Sequence, residues 1–392
     1  MKQITEFPCT GCGACYAICP VKSIKMHPDR LNQIKPDIDQ TKCVDCGLCQ
    51  KICPQNQVLD FQRPFSCYAA CSKNPDDIYF SASGGVAAVF SRFVYDNKGF
   101  VFGCDYNDNG ELLFYRACSM EQLNGFRSSK YTRASLYRCY GEIKTLLNDS
   151  ARTVLIIGLP CQVAGLRCYL NKDYNNLITV DLVCHGTPPN EYLMQHLKEK
   201  KICCPYDKIR FRGEYDQKLS VWNGDGICYQ QDKDSDLFFS AFYLNMISYE
   251  SCFSCKYAQD KRISDITIGD FWGLGESKIK SYTNRPSLVL INTKKGEEFF
   301  DSCSFLMYYE NRCTSEGIKG NGRLNNPPGK NEYAKAFRLL YSINPKNFNR
   351  TVVLSKFIGE IIQLPSKGKI ILLKYLYLLK RGILKIKNII IH

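Results

Sequence analysis

Two β-rich apolar runs stand out along the chain, at 153–157 (Thr-Val-Leu-Ile-Ile) and 177–183. Each is short, bounded by turn residues such as Gly158 and Pro160, and followed by a helical pattern, to about residue 170 in the first case and over 191–200 in the second. Runs of this kind predict buried parallel strands, each feeding a helix. Around them the pattern predicts a helix from Val86 to about Asp96, an alternating strand over 99–106, a helix over 134–148 and a strand over 265–269. Residues 59–80, with Pro64 and Pro75, read as a connector whose Cys67 and Cys71 serve as small apolar residues. An α/β body is therefore expected, divided into 65–150 and 151–330, with a smaller unit at 1–58 and a basic helical tail at 331–392.

The cysteines change the picture most. Cys9, Cys12, Cys15 and Cys19 precede Pro20, and Cys43, Cys46, Cys49 and Cys53 precede Pro54. Both runs read C-x2-C-x2-C-x3-C-P, the bacterial ferredoxin spacing for a pair of 4Fe-4S clusters, in which the fourth cysteine of each run serves the other cluster. That assigns Cys9, Cys12, Cys15 and Cys53 to one cluster and Cys43, Cys46, Cys49 and Cys19 to the second. Zinc also binds C-x2-C pairs, but a repeated third cysteine and terminal Cys-Pro fit it poorly. Residues 1–58 are thus expected to be an α+β, ferredoxin-like dicluster module, small because inorganic cores replace most of a hydrophobic one.

At 392 residues with 45% hydrophobic content, the chain is long enough for two or three domains with full cores. Its 23 cysteines, free thiolates at the cluster runs and a polar N-terminus place it in a reducing, cytoplasmic compartment, in a low-oxygen cell. The formal charge of +14 suggests nucleic acid until it is located. Residues 331–392 hold twelve Lys and Arg against Glu332 and Glu360, so the body is nearly balanced and no phosphate-tracking stripe is expected on it. From Lys367 onward the tail mixes seven basic residues with short apolar runs and no acid. It is too interrupted to span a bilayer, and two readings stay open: a peripheral contact with an anionic membrane surface, or packing on protein.

Cys161 and Cys184 lie just past the two predicted parallel strands, hence on one sheet edge, where ligands usually sit. With the pair Cys252 and Cys255 they suffice for a third 4Fe-4S cluster; the spacing equally allows two buried thiols plus a zinc knuckle. Ser83, Gly84 and Gly85 before a helix can admit a phosphate or serve as a plain helix start. Ser129, Lys130 and Tyr131 form a polar cluster ahead of the next helix, and His185 beside Cys184 is a candidate acid/base or a satisfied loop histidine.

Taken together, Ser83-Gly-Gly85, Ser129-Lys-Tyr131, the 158–167 segment around Cys161, Cys184-His-Gly186, Cys252-x2-Cys255 and the 265–273 segment ending Asp-Phe-Trp-Gly resemble the coenzyme F420 hydrogenase/dehydrogenase beta subunit family. The resemblance implies an FAD-binding α/β domain with the third cluster on Cys161, Cys184, Cys252 and Cys255. It also implies Ser83, Gly84, Gly85, Ser129, Lys130 and Tyr131 at the flavin, and Lys130 and His185 as catalytic candidates. Bacterial members with a fused dicluster ferredoxin are often associated with surface polysaccharide biosynthesis. The expected function is an iron-sulfur flavoprotein oxidoreductase that takes electrons from a soluble ferredoxin-type donor to reduce an organic substrate such as a sugar or glycan precursor. The alternatives are a coenzyme F420 dehydrogenase that delivers electrons to ferredoxin, and an electron-transfer subunit of a larger complex. Because each set of cysteines closes on itself in the sequence, the 1–58 module is expected to be removable without unfolding the rest.

Overall fold

A computed structural model describes residues 3–149, 151–212, 217–224 and 226–363. Among these, the thirteen strands are β1 (Ile24–Pro28), β2 (Ile34–Ile38), β3 (Ser66–Ser72), β4 (Phe100–Tyr106), β5 (Leu112–Arg116), β6 (Val154–Gly158), β7 (Leu177–Leu182), β8 (Lys208–Arg210), β9 (Lys218–Asn223), β10 (Gly226–Asp232), β11 (Ile266–Asp270), β12 (Ser287–Ile291) and β13 (Met307–Arg312). β1 and β2 form a hairpin in the N-terminal module, and β8 to β10 form a small antiparallel sheet. The remaining eight make one large sheet in the order β13-β3-β12-β11-β7-β6-β4-β5.

The middle of that sheet, β11, β7, β6 and β4, is parallel, and antiparallel strands extend it on both sides. Alternate residues of the parallel strands feed two cores. Phe102, Val154, Ile156 and Leu177 pack beneath helices Tyr140–Asp149 and Pro160–Leu170, while Val101, Leu155, Ile178 and Val180 pack beneath Val86–Asp96 and Lys294–Cys303. Both faces are covered, which is why the strands read as continuous apolar runs. Residues 65–150 and 151–330 thus share one sheet. The stretch expected as a connector contains β3, a strand inside the sheet with Cys67 and Cys71 fully buried.

Polar groups lock β7 to β11. The Asp181 carboxylate, fully buried, accepts from Arg262 Nη2 (3.0 Å) and Thr267 Oγ1 (2.6 Å), and Asn292 Nδ2 donates to the same Thr267 hydroxyl (3.0 Å). Beside the large sheet, β8 to β10 pack with helices Asn190–Glu199, Leu237–Tyr243, Glu332–Ile343 and Phe348–Gln363 around Phe211, Phe238, Phe337, Tyr341 and Phe348. The first half of the expected tail is therefore two docked helices. Residues 364–392, to which the membrane-surface reading applied, lie outside the described residues. No helix among the described residues is long and apolar enough to cross a membrane.

The N-terminal module is not self-contained. Cys12 and Ala14 belong to the same core as Tyr137, Tyr140 and Leu166. The Ile34 N–H donates to Tyr249 Oη (3.0 Å), Tyr192 Oη donates to the Leu31 carbonyl (2.7 Å), and Lys256 Nζ donates to the Pro54 carbonyl. Ligand spacing in the sequence shows which cysteines close on each other, but not what covers the module's other face.

Two outcomes test this architecture. Arg262→Met leaves the Asp181 carboxylate buried without its cation, and should cost about 3–5 kcal/mol in urea unfolding. A chain beginning at residue 59 uncovers the Tyr137, Tyr140 and Leu166 core, and should aggregate or melt without cooperativity in circular dichroism. Cooperative melting at the full-length temperature would restore the self-contained module.

Candidate iron-sulfur sites and an adjoining cavity

The N-terminal helices start at glycines in left-handed conformation, Gly13 (φ 72°) and Gly47 (φ 72°), so each run of cysteines wraps a turn before its helix begins. Cys9, Cys12, Cys15 and Cys53 lie within mutual electrostatic range and are largely sealed from water. Burial pushes all four thiols up, Cys12 to about 12. Cys43, Cys46 and Cys49 form the second group, and with Cys19 they line one small pocket at the rim. The environment differs there: burial raises Cys19, but the Ser23 hydroxyl and N–H, both 3.3 Å from its sulfur, outweigh this and hold it below the usual thiol value. Cys53 thus lies near Cys9, Cys12 and Cys15, and Cys19 lies beside Cys43, Cys46 and Cys49.

The third set gathers from three places. Cys161 opens helix Pro160–Leu170 directly after β6, Cys184 follows β7, and Cys252 ends the short 3-10 turn Glu250–Cys252. Gly186 makes the approach possible. It sits at φ 96°, and a Cβ there would stand 2.8 Å from Ser248 Oγ and 3.5 Å from the Cys252 Cβ. Cys161, Cys184, Cys252 and Cys255 act on one another electrostatically, and burial raises Cys184 and Cys252 and takes Cys255 to about 12. Among the described residues, no three Cys, His, Asp or Glu side chains close to the spacing of a single metal ion.

Arg133 lies against this set. It is 9% exposed, and its guanidinium donates to Cys161 Sγ (3.4 Å), Thr187 Oγ1 (3.3 Å) and the Thr10 carbonyl of the N-terminal module, with its Cζ 4.8 Å above the Tyr249 ring. Burial alone would lower its pKa, but Cys161, Tyr249 and Cys252 outweigh this and raise it. Arg133 lies two residues beyond the Ser129-Lys-Tyr131 cluster. No local signal separates Arg133 from an ordinary surface arginine before a helix.

A cavity of about 530 Å³ adjoins the third set, within the range of small-molecule sites. It lies at the C-terminal ends of β4, β6, β7 and β11, the expected edge of an α/β sheet, and Cys184 is one of its lining residues. Among the described residues, Arg127, Lys130, Arg212, Lys233 and Arg323 give it a cationic lining against the single carboxylate Asp270. One wall is the start of helix Val86–Asp96, where Gly85 (φ 82°) precedes the first turn and no side chain caps it.

The sequence-predicted residues divide within this cavity. Ser83, Gly85, Ser129, Lys130, Tyr131 and His185 line it. Gly84 does not: a Cβ there would meet the Ala70 carbonyl at 2.4 Å, so its role is close packing on β3. Ser83 Oγ lies 2.8 Å from Ser287 Oγ. Lys130 is turned partly inward, donating to the carbonyls of Gly125 (2.5 Å) and Arg127 (2.8 Å) with Asp105 at 3.7 Å. Tyr131 stacks between Phe211 and Phe242 and accepts from Arg212 Nε (2.8 Å). His185 presents its ring to the open cavity, yet surrounding protein and the nearby Arg323 and Arg212 push its pKa below the usual histidine value. The sequence did not reveal Arg212 and Arg323, which arrive from distant segments.

Residues 8–57 match the model of a 4Fe-4S dicluster domain, and residues 151–312 match the model of the C terminus of the coenzyme F420 hydrogenase/dehydrogenase beta subunit. No curated protein matches the chain. Among solved structures, a chain of the F420-reducing [NiFe] hydrogenase complex from Methanosarcina barkeri, studied by xenon derivatization, is similar at 16% identity and a TM-score of 0.46, over 76% of this chain and 94% of that one. The two family matches cover the paired cysteine runs and the segments from 158 to 273, and the Ser83 and Ser129 segments lie outside them. The chain is accordingly an iron-sulfur protein with a 4Fe-4S dicluster domain at its N-terminal end, and over residues 151–312 it is similar to the C terminus of the coenzyme F420 hydrogenase/dehydrogenase beta subunit.

Proposed function

We propose that the protein is an iron-sulfur flavoprotein oxidoreductase. Electrons from a soluble ferredoxin-type donor enter at the N-terminal cysteines, and a flavin, FAD, is held in the cationic cavity to reduce an organic substrate. The observation that carries this reading is that Cys184 belongs both to the third cysteine set and to the cavity wall, while Arg133 ties that set to the Thr10 carbonyl of the inlet module. The first cysteine set, the third set and the cavity thus adjoin one another through Arg133, Gly165 and Cys184. Four thiols at each set supply the ligand number of a 4Fe-4S cluster. When bound, clusters pass single electrons and a flavin converts them to two-electron chemistry.

The chain's own residues would divide the work. Arg127, Lys130 and the uncapped start of helix Val86–Asp96 favour the phosphates of a dinucleotide. His185 and Lys130 are the candidates to hold or move a proton at the cavity. The twelve cysteines assigned to clusters need a reducing, cytoplasmic setting to stay unpaired. Sugar or glycan precursors remain the substrate class to try first. The name of the matched family favours a second reading, in which reduced coenzyme F420 enters the cavity and electrons leave through the N-terminal module to a partner protein.

Prepared without oxygen, the full chain should contain about twelve irons, as three four-iron clusters require, and one FAD. Cys255→Ser should remove about four irons, whereas the exposed Cys118, far from any set, can be changed to Ser without loss. About eight irons in the unmodified protein would reject the third cluster, and absence of flavin would reject the FAD reading.

A further inference from the structure

Arg133 is a buried cation whose partners are a thiol, a hydroxyl, a carbonyl and an aromatic face. Among the described residues no carboxylate is placed against it. Burying a guanidinium without an anion costs several kcal/mol, a penalty usually met by a paired carboxylate. Here the groups able to carry negative charge nearby are the Cys161 sulfur, the Tyr249 hydroxyl, the Cys252 sulfur and, on the inlet side, Cys9. A neutral set of thiols would leave the charge uncompensated. A set of thiolates around an iron cluster carries net negative charge, which grows by one when an electron arrives.

We propose that Arg133 is the positioning residue that couples the inlet module to the third cysteine set: its guanidinium pins the Thr10 loop beside Cys161, and its positive charge favours arrival of an electron at Cys161, Cys184, Cys252 and Cys255. The proposal rests on the reading that these four cysteines hold a 4Fe-4S cluster. The step is a one-electron exchange in which the inlet side is oxidised by one electron, the third site is reduced by one, and no proton or bond is exchanged. Tyr249 supports the geometry from the other side. Its hydroxyl accepts the Ile34 N–H of the inlet module while its ring faces the guanidinium, so the two contacts cross the same junction.

The test compares Arg133→Met with Arg133→Lys in the full-length holoprotein, prepared anaerobically. Iron content, circular dichroism and electron paramagnetic resonance during a redox titration are read on each. Loss of the charge in the Met variant should shift the third cluster's reduction equilibrium about tenfold toward the oxidised form, about 59 mV to more negative potential for a one-electron couple, with the fold retained. The Lys variant, which keeps the charge and loses the fork, should move less than half as far. If the Met variant loses the third set's iron and the Lys variant does not, charge is again the requirement and the proposal stands. An unchanged potential in the Met variant with iron intact overturns it, as does equal loss of iron in both variants, which would make Arg133 a packing residue. About eight irons in the unmodified protein would instead defeat the underlying cluster reading, and the proposal with it.

Discussion

At Gly165 the helix Pro160–Leu170 approaches the N-terminal module so closely that a Cβ would stand 2.7 Å from the Cys12 Cβ and 3.0 Å from its sulfur. Much of the arrangement depends on that contact. The same helix presents Cys161 at its first turn, so one rigid element fixes the separation between Cys12 of the N-terminal module and the third set. Tyr140 reinforces the junction with its hydroxyl near both the Cys12 carbonyl (3.0 Å) and the Gln162 carbonyl (3.3 Å). A larger residue at 165 would force the module away from the sheet, in an interior that has no slack to absorb it.

Close packing also sets the electrostatics. Burial is the leading influence on Cys9, Cys12, Cys15, Cys184, Cys252 and Cys255, and in each case it favours the neutral thiol. Ionising such groups is costly unless positive charge arrives with the ligand, so the polypeptide alone does not hold thiolates ready. Metal binding and deprotonation are therefore linked at these positions. The outer group is different in kind: Cys46 is exposed, and Cys19 is stabilised as thiolate by Ser23. The N-terminal cysteines thus meet two environments, one with Cys46 open to water and one with Cys12, Cys15 and Cys53 buried.

How much of this was legible in the sequence follows from which interactions are local. The paired cysteine runs were readable because ligand spacing is a local property, and 153–157 and 177–183 were readable because strands covered on both faces must be apolar throughout. β3 was missed because residues 66–72 mix Ser, Tyr, Ala and Cys between two prolines, with partners β12 and β13 more than 200 residues away. The three-stranded sheet and the docked helices after residue 331 were hidden for the same reason. A count of charges correctly marked 331–392 as basic but could not show that Phe337, Tyr341, Phe348 and Val352 bury one side of it. At the candidate site, Ser83, Gly85 and Ser129 were singled out in the sequence and line the cavity, whereas Arg133 and Arg323 were not, since nothing near either in sequence distinguishes it.

The cavity shows why no motif encodes its ligand. Its floor is the sheet edge, with Gly158, Cys184 and Asp270 at strand ends, but its opposite wall is hung on the small sheet and its helices. Tyr131 lies between Phe211 and Phe242, and Arg212 bridges from the Tyr131 hydroxyl to Asp270 at the end of β11 (2.8 Å). That bridge joins the two walls by side chains from three distant segments. The shape between them is set by how the small sheet docks on the large one, and docking is held by the aromatic cluster that includes Phe337 and Phe348, far outside the cavity. Iron-sulfur ligation is thus written in short, local cysteine motifs, while the shape of the cavity is spread over packing contacts from residue 80 to residue 350.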